Sequence, residues 1–139
     1  MKQLIDILDK ENILFRLNSV NYKRVDNDAD CEINIEDSFK VSEVHEEMFS
    51  VALRRHVFCI PEAMFDITVE FEVARWREEK ASESFLDYDL NSLINNDNVD
   101  MFTGYNFNRA SAIISALTTN FGLNPLITPP VYLTEDESE

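Results

Sequence analysis

Glycine, cysteine and histidine are scarce in this chain, which contains two of each. Because Gly104 and Gly122 stand far apart, they cannot form a glycine-rich phosphate-binding loop. Cys31 and Cys59 form no paired-cysteine motif, and the two histidines lack the spacing of metal ligands. We interpret the cysteines as reduced core residues. The sequence therefore predicts no metal site, no cofactor, no catalytic residue and no enzymatic activity.

Basic residues are also few, with 12 lysines and arginines against 27 aspartates and glutamates and a formal net charge of -15. The densest basic clusters, Lys23 with Arg24 and Arg54 with Arg55, are short and have acidic neighbours. Such a chain should repel nucleic acid and anionic lipid. The charge indicates solubility first and a basic protein partner second.

Long hydrophobic runs are absent. No apolar run approaches the length of a membrane-spanning helix, and residues 1–10 lack the charged and then apolar layout of a signal peptide. We therefore expect a cytoplasmic protein without direct membrane insertion. The chain has 139 residues, of which 45% are hydrophobic, and this is enough for one domain with its own core.

One acidic segment has the spacing of a calcium-binding loop. Asp26, Asp28 and Asp30 match the first ligands, but Cys31 replaces the glycine of the sharp turn and Asp37 replaces the final glutamate. The preceding residues also have the pattern of a strand instead of a helix. We interpret the segment as an acidic loop that binds no metal.

Alternation of apolar and polar residues predicts an antiparallel sheet. Residues 64–76 show it most clearly, because the odd-numbered residues from Phe65 to Val73 are apolar and the even-numbered ones include Asp66, Glu70 and Glu72. In the first strand a change of phase at Ser19 indicates a β-bulge. The predicted strands are 13–25, 48–60, 64–76 and 83–90, with a short helix at 2–9. The segment 26–47 is predicted to be mainly irregular, with a short strand around Ile33 or Phe39 left open.

A helix is predicted over residues 105–121, ended by Gly122 and followed by prolines that prevent its continuation. Ala110, Ile114 and Leu117 lie on its apolar stripe. The small residues Ala112 and Ala116 lie on the other side, where a second helix can approach closely. The pattern fits either an oligomer interface or a helix that packs only on its own sheet.

Several stretches and their order resemble the SecB export-chaperone family. The stretches "FRLNSVNYKRV", "MFDITVEFEV" and "SFLDY" are similar to its first, third and fourth strands, and "NRASAIISALTTNFG" followed by "NPLITPPVYL" is similar to its long helix and proline-containing crossover. The resemblance covers most of residues 13–133. Residues 1–12 then form a short helical extension, and residues 134–139 form an acidic tail.

The resemblance implies an α+β fold, with a long C-terminal helix packed on a four-stranded antiparallel sheet, assembled as a homotetramer that is a dimer of dimers. It also implies an ATP-independent holdase that keeps unfolded or precursor polypeptides competent for export and passes them to SecA. Arg24 and Tyr88 stand where the family has acidic residues for SecA docking, and the second C-terminal helix of the family is missing.

The resemblance implies a client-binding groove and adds Leu86 to the acidic face, whereas the rest of that face and the oligomer interface are predicted from the patterns of the strand and the helix. The client-binding groove would contain Phe49, Val51, Phe58, Phe65, Phe121, Leu123, Leu126, Ile127 and Tyr132. An acidic partner-binding face would contain Asp66, Glu70, Glu72 and Leu86, and the oligomer interface would contain Ala112 and Ala116.

Two other functions stay open. The first is a SecB-like chaperone dedicated to one partner, such as an antitoxin. The second is an adaptor that is not a chaperone and binds a basic protein through the acidic face. A general chaperone should protect several unrelated unfolded proteins, a dedicated chaperone should protect one, and an adaptor should protect none.

Overall fold

The structure is a computed structural model that describes residues 2–25, 32–61 and 64–120. Four strands and several helices follow one another along these residues. They are α1 (Leu4–Ile7), β1 (Leu8–Val25), β2 (Glu32–Val44), β3 (Met48–Ile60), β4 (Met64–Arg77), a 3₁₀ turn (Phe85–Asp87), α2 (Leu90–Leu93), α3 (Val99–Phe102) and α4 (Phe107–Asn120). No helix in the described ranges is long and apolar enough to cross a membrane.

The four strands form one antiparallel sheet in the order β1-β4-β3-β2. Helix α4 packs on one side of it, which we call the helix face, and the opposite side is the open face. This confirms the predicted α+β fold, in which a C-terminal helix packs on a four-stranded antiparallel sheet. The register of β1 against β4 shifts between Leu17 and Ser19, which confirms the bulge predicted there.

The predicted identity of the fourth strand is wrong. Residues 83–90 contain the 3₁₀ turn, which begins where the Ser84 side chain accepts a hydrogen bond from the backbone N–H of Leu86. The fourth strand of the sheet is β2, which is 13 residues long and lies in the segment 26–47, where at most a short strand around Ile33 or Phe39 was predicted. In the sequence, Asp37 interrupts the alternation of apolar and polar residues along this strand. In the fold, its charge is neutralised by Arg55 of the next strand.

The core lies between α4 and the two central strands. Side chains of β3 and β4 on the helix face pair across the sheet, as in Val51 with Val73 and Leu53 with Phe71, and all four are buried. Helix α4 presents its own buried stripe to them: Phe107, Ala110, Ile114 and Thr118. Burying each large apolar side chain contributes about 1.5–3 kcal/mol, so this contact fixes the helix on the sheet.

A tight turn separates α3 from α4, and α4 begins at Phe107, two residues after the predicted start of the helix at Tyr105. Gly104 and Tyr105 both have positive φ, 68° and 57°, which ends α3 and redirects the chain. The buried Arg75 holds this turn to the sheet, because its Nη1 donates to the Phe102 carbonyl at 2.7 Å. Burial lowers the pKa of Arg75 from its ordinary 12.5, and the nearby Asp9 carboxylate opposes this shift.

Candidate functional site

The helix face of the sheet is wider than the helix that covers it. Four strands spaced about 4.8 Å apart put the outer strand axes about 14 Å from each other. The backbone and side chains of one helix cover about 10 Å. A single helix centred on β3 and β4 therefore leaves the apolar side chains of both edge strands incompletely covered.

Two strips of partly exposed apolar side chains result. The β1 strip consists of Ile13, Leu17 and Val20, and Leu17 is 45% exposed. The β2 strip consists of Ile33, which is 43% exposed, together with the partly buried Ile35, Phe39 and Val41. Both strips lie on the helix face, since Leu17 pairs with the buried Phe71 and Ile33 pairs with the buried Cys59.

Polar and aromatic contacts fix α4 between these strips. On the side of β2, the buried Arg55 forms two hydrogen bonds with Asp37, at 2.8 Å and 2.7 Å, and a third at 2.9 Å with Ser111 of α4. The Arg55 guanidinium also lies 4.8 Å from the centre of the Phe107 ring. On the side of β1, the Arg109 guanidinium lies 4.8 Å from the centre of the Phe15 ring. These contacts set the position of α4 across the sheet.

The strand residues predicted to line a client groove do not share one exposed surface. Phe49 and Val51 have no exposed area and Phe65 has 4%, because all three lie on the central strands beneath the helix layer. Phe58 lies on the open face, where its ring stacks on His56 with centroids 4.4 Å apart. The other predicted groove residues lie outside the described residues: Phe121, Leu123, Leu126, Ile127 and Tyr132.

The predicted acidic face is brought together only in part. Asp66, Glu70 and Glu72 all lie on the open face of β4, whereas Leu86 lies in the 3₁₀ turn, away from the sheet, and is 62% exposed. Each of the three carboxylates has a partner on a neighbouring strand. Asp66 lies 2.9 Å from His56, Glu70 lies 3.2 Å from Ser19 and 3.6 Å from Arg54, and Glu72 lies 2.9 Å from Asn18. Arg54 is a positively charged partner of Glu70, whereas Ser19 and Asn18 are neutral and leave the negative charge of the face in place.

Ala112 and Ala116 are exposed on α4, on the side that faces away from the sheet. The described residues contain no group of three or more side chains that could hold a metal ion.

Sequence reasoning missed the β2 strip and the Arg55–Asp37 pair. The sequence does contain one signal for the β2 strip. Every second residue from Ile33 to Val41 is apolar except Asp37.

Comparison with known proteins finds matches among solved structures. No family model and no curated protein matches the chain. A SecB-like chaperone of Mycobacterium tuberculosis, Rv1957, in complex with a ChAD peptide from the HigA1 antitoxin Rv1956, matches with a TM-score of 0.64 at 14% sequence identity. The match covers 94% of this chain and 91% of that one. The fold is SecB-like.

A second solved structure is a protein of unknown function from Streptococcus agalactiae. It matches with a TM-score of 0.52 at 10% identity, over 85% of this chain and 97% of that one. Structural similarity at such low sequence identity shows a shared fold and does not show a shared function. The function therefore has to be inferred from the surface of this chain.

Proposed function

We propose that this protein is a chaperone that binds extended apolar segments of unfolded polypeptides without ATP. The observation that carries the proposal is the pair of apolar strips beside α4. Unfolded chains expose aliphatic and aromatic side chains in many sequences, and burial of apolar area recognises them without a sequence code. The SecB-like fold supports this function, since the M. tuberculosis neighbour is a chaperone in complex with a peptide.

The proposal has a general and a dedicated form. In the general form the protein is a holdase that keeps precursors competent for export and delivers them to SecA, as the sequence resemblance implies. In the dedicated form it protects one partner, and the antitoxin peptide on the neighbouring structure favours this form. Phe121, Leu123, Leu126, Ile127 and Tyr132 remain proposed groove residues in both forms.

We also propose that the protein acts as a homo-oligomer, a dimer of dimers. Exposure of Ala112 and Ala116 on the outer side of α4 supports a helix contact between subunits, because alanine allows two helices to approach closely. An interface there would leave the edge strands of the sheet available to other chains.

The test is suppression of aggregation. Several chemically unfolded proteins of unrelated sequence are diluted into buffer with and without this protein, in the absence of ATP, and light scattering is recorded. Protection of several proteins supports the general form, and protection of one toxin–antitoxin partner alone supports the dedicated form. Protection of none would reject the chaperone function and favour an adaptor that binds through the open face.

A further inference from the structure

A small cavity opens on the open face of the sheet, at the end near the turn between β2 and β3. Its volume is about 170 Å³, and side chains from all four strands line it. We call it the tryptophan cavity, because one of these side chains is Trp76, the only tryptophan of the chain. It lies on the side of the sheet opposite to α4. It is therefore separate from the apolar strips on which the proposed chaperone function depends.

The register of the strands explains why a cavity forms at this place. Ser50 of β3 and Ala74 of β4 stand opposite each other, and these two small side chains form its floor. Residues two positions away point to the same side of the sheet, so the larger side chains there surround the floor. Ser50 is only 3% exposed, and its hydroxyl lies 2.7 Å from the hydroxyl of Ser42. The floor is thus closed, and a ligand would make its contacts with the walls and the rim.

The walls of the tryptophan cavity are apolar on two sides. Leu14 of β1 stands opposite Ala74 and is 48% exposed. Met48 and Trp76 form a cross-strand pair at the end of the cavity, and both are partly exposed. A ligand in the cavity would therefore meet aliphatic and thioether groups together with the ring of an indole.

The rim of the cavity carries more negative than positive charge. It consists of the carboxylates of Glu43 and Glu72 and the guanidinium of Arg16, which stands opposite Glu72. Glu72 accepts a hydrogen bond at 2.9 Å from the neutral side chain of Asn18, and the exposed Glu43 has a long contact of 3.6 Å with His45. Two carboxylates against one guanidinium favour a ligand with positive charge.

We infer that the tryptophan cavity binds a small organic cation, an alkylguanidinium or alkylammonium ion with a short hydrocarbon chain. The aromatic ring of Trp76 attracts a cation placed over its face. The hydrocarbon chain of such a ligand packs on Leu14 and Met48 while the charged head approaches the carboxylates, as the side chains of lysine and arginine do on protein surfaces. The volume also fits, since sites for larger ligands occupy about 300–1,000 Å³. This binding activity goes beyond the proposed chaperone function and does not depend on it.

The surroundings of the cavity favour a free ligand over a side chain of a docked protein. The next side chains on the open face are charged, among them Lys40, Arg54 and Glu70. A stable protein interface covers about 800 Å² on each partner, and its core is poor in charged residues. A free cation uses the cavity without desolvating these neighbouring charges.

The experiment titrates the full-length protein with three ligands. They are butylguanidine, its uncharged analogue butylurea, and methylguanidine, which has the same charge and a shorter chain. Binding is followed by the fluorescence of Trp76, which reports from the cavity because the chain has no other tryptophan. Ligand-observed NMR provides an independent measurement. Butylguanidine should bind about tenfold more tightly than butylurea, through the charge, and about fivefold more tightly than methylguanidine, through the apolar walls.

Variants with matched changes of charge locate the site. Glu43→Gln combined with Glu72→Gln should bind butylguanidine about tenfold more weakly than the parent. The control Glu32→Gln with Glu36→Gln removes the same charge from the other end of β2 and should bind like the parent. Arg16→Gln removes the competing cation from the rim and should bind about threefold more tightly. Melting curves show whether each variant folds, and the ligand series on the parent tests the cavity without any substitution.

Three results would overturn the inference. Equal affinity for butylurea and butylguanidine would exclude a cation site, and equal affinity of the two double variants would exclude the carboxylates of the rim. The third comes from a capped glycine–arginine–glycine peptide, which presents the same head group on a polypeptide and should bind several-fold more weakly than butylguanidine. Tighter binding of this peptide would mean that the cavity receives a side chain of a partner protein instead of a free cation.

Discussion

The carboxylate of Asp37 and the guanidinium of Arg55 form a bidentate ion pair in which both side chains are almost completely buried, with Nη2 and Oδ2 separated by 2.7 Å. The pair joins the edge strand β2 to the central strand β3. Ser111 extends it to α4 through the third hydrogen bond of the guanidinium. One buried charge pair therefore connects both layers of the fold at the edge that bears the β2 strip.

Removal of one member of this pair should be costly. Asp37→Ala removes the carboxylate that forms two hydrogen bonds with the buried guanidinium of Arg55, and we expect a loss of about 3–5 kcal/mol in the free energy of unfolding, measured by denaturant titration. The double variant Asp37→Leu with Arg55→Met removes both charges and should lie much closer to the parent. Ser111→Ala removes one hydrogen bond and should cost about 1 kcal/mol. A loss below about 1 kcal/mol for Asp37→Ala would contradict the structural importance of the pair.

A second prediction concerns the turn before α4. Gly104 has a φ of 68°, and a β-carbon at this position would lie 3.0 Å from Cδ1 of Ile13. Gly104→Ala should therefore destabilise the protein by about 1–2 kcal/mol through backbone strain and crowding. Adding Ile13→Val shortens the crowded side chain and should restore only the stability that was lost through crowding. Thermal melting of the single and double variants separates this loss from the loss due to backbone strain. An unchanged melting temperature for Gly104→Ala would disprove the strain.

Alkaline pH provides a third prediction, through Tyr88. Its hydroxyl donates to the Lys2 carbonyl at 2.7 Å, and partial burial, followed by the nearby carboxylates of Glu83, Asp87 and Asp6, raises its pKa above the ordinary 10.0. A raised pKa in the folded state favours the neutral phenol. The contribution of Tyr88 to stability should thus be complete below its ordinary pKa and be lost as the pH rises through the folded value.

Tyr88→Phe cannot ionise at this position, so its unfolding free energy should decline less steeply with pH in the alkaline range than that of the parent. Absorbance titration of the parent should show a phenolate component above the ordinary pKa of 10.0 that is absent from Tyr88→Phe. Tyr105, whose side chain is exposed, supplies the matched control Tyr105→Phe. If the unfolding free energies of the parent and of Tyr88→Phe fell equally steeply with pH in the alkaline range, the raised pKa of Tyr88 would be refuted.

Much of the fold could be predicted because its central features are local. The alternation in β4, the bulge at Ser19 and the apolar stripe of α4 each depend on residues close in sequence. Strand β2 was predicted at most as a short strand around Ile33 or Phe39, because Asp37 interrupts its apolar side. The residue that makes this aspartate tolerable, Arg55, belongs to the next strand and is recognised as its partner only in the folded structure.

The candidate site was less predictable, because exposure depends on strand order. Phe49 and Leu17 are both apolar residues of the helix face, but Phe49 lies on a central strand beneath the helix layer and Leu17 lies on an edge strand beside it. The sequence contains the alternation of each strand and does not contain the order β1-β4-β3-β2 in any local pattern. Some of the groove residues that the SecB resemblance implied, such as Phe49, therefore lie in the buried core.

A fourth prediction addresses assembly. Ala116→Arg places a long charged side chain on the outer side of α4, where Ala116 is exposed, so the fold of the single subunit should be unaffected. If two helices meet there, the charge would be buried in a dry contact and should split the oligomer. Multi-angle light scattering measures the mass. Ser82→Arg adds the same charge to an exposed loop and should leave the mass unchanged. A monomeric parent, or an oligomer that tolerates Ala116→Arg, would exclude this interface.

The fifth prediction tests whether the β2 strip binds clients, using a pair of isoleucines that differ mainly in the face they occupy. Ile33 is 43% exposed on the helix face, and Ile60 is 54% exposed on the open face of the adjacent strand. Each can be replaced by serine without emptying a closed core. Because a client that covers Ile33 buries about half of one aliphatic side chain, Ile33→Ser should weaken client binding by about 1 kcal/mol, or about fivefold.

Ile60→Ser removes slightly more exposed apolar area, yet it should leave client binding unchanged, since Ile60 points away from α4. Affinity for an unfolded, fluorescently labelled client and the amount of protein needed to suppress its aggregation are measured for both variants. Melting curves and light scattering on the same samples show whether either variant has lost stability or assembly. Equal loss of affinity in both variants would mean that apolar area anywhere on the sheet attracts clients. No loss in Ile33→Ser would remove the β2 strip from the binding surface and leave the β1 strip as the next surface to test, with Leu17→Ser on the helix face and Leu14→Ser on the open face as the corresponding pair.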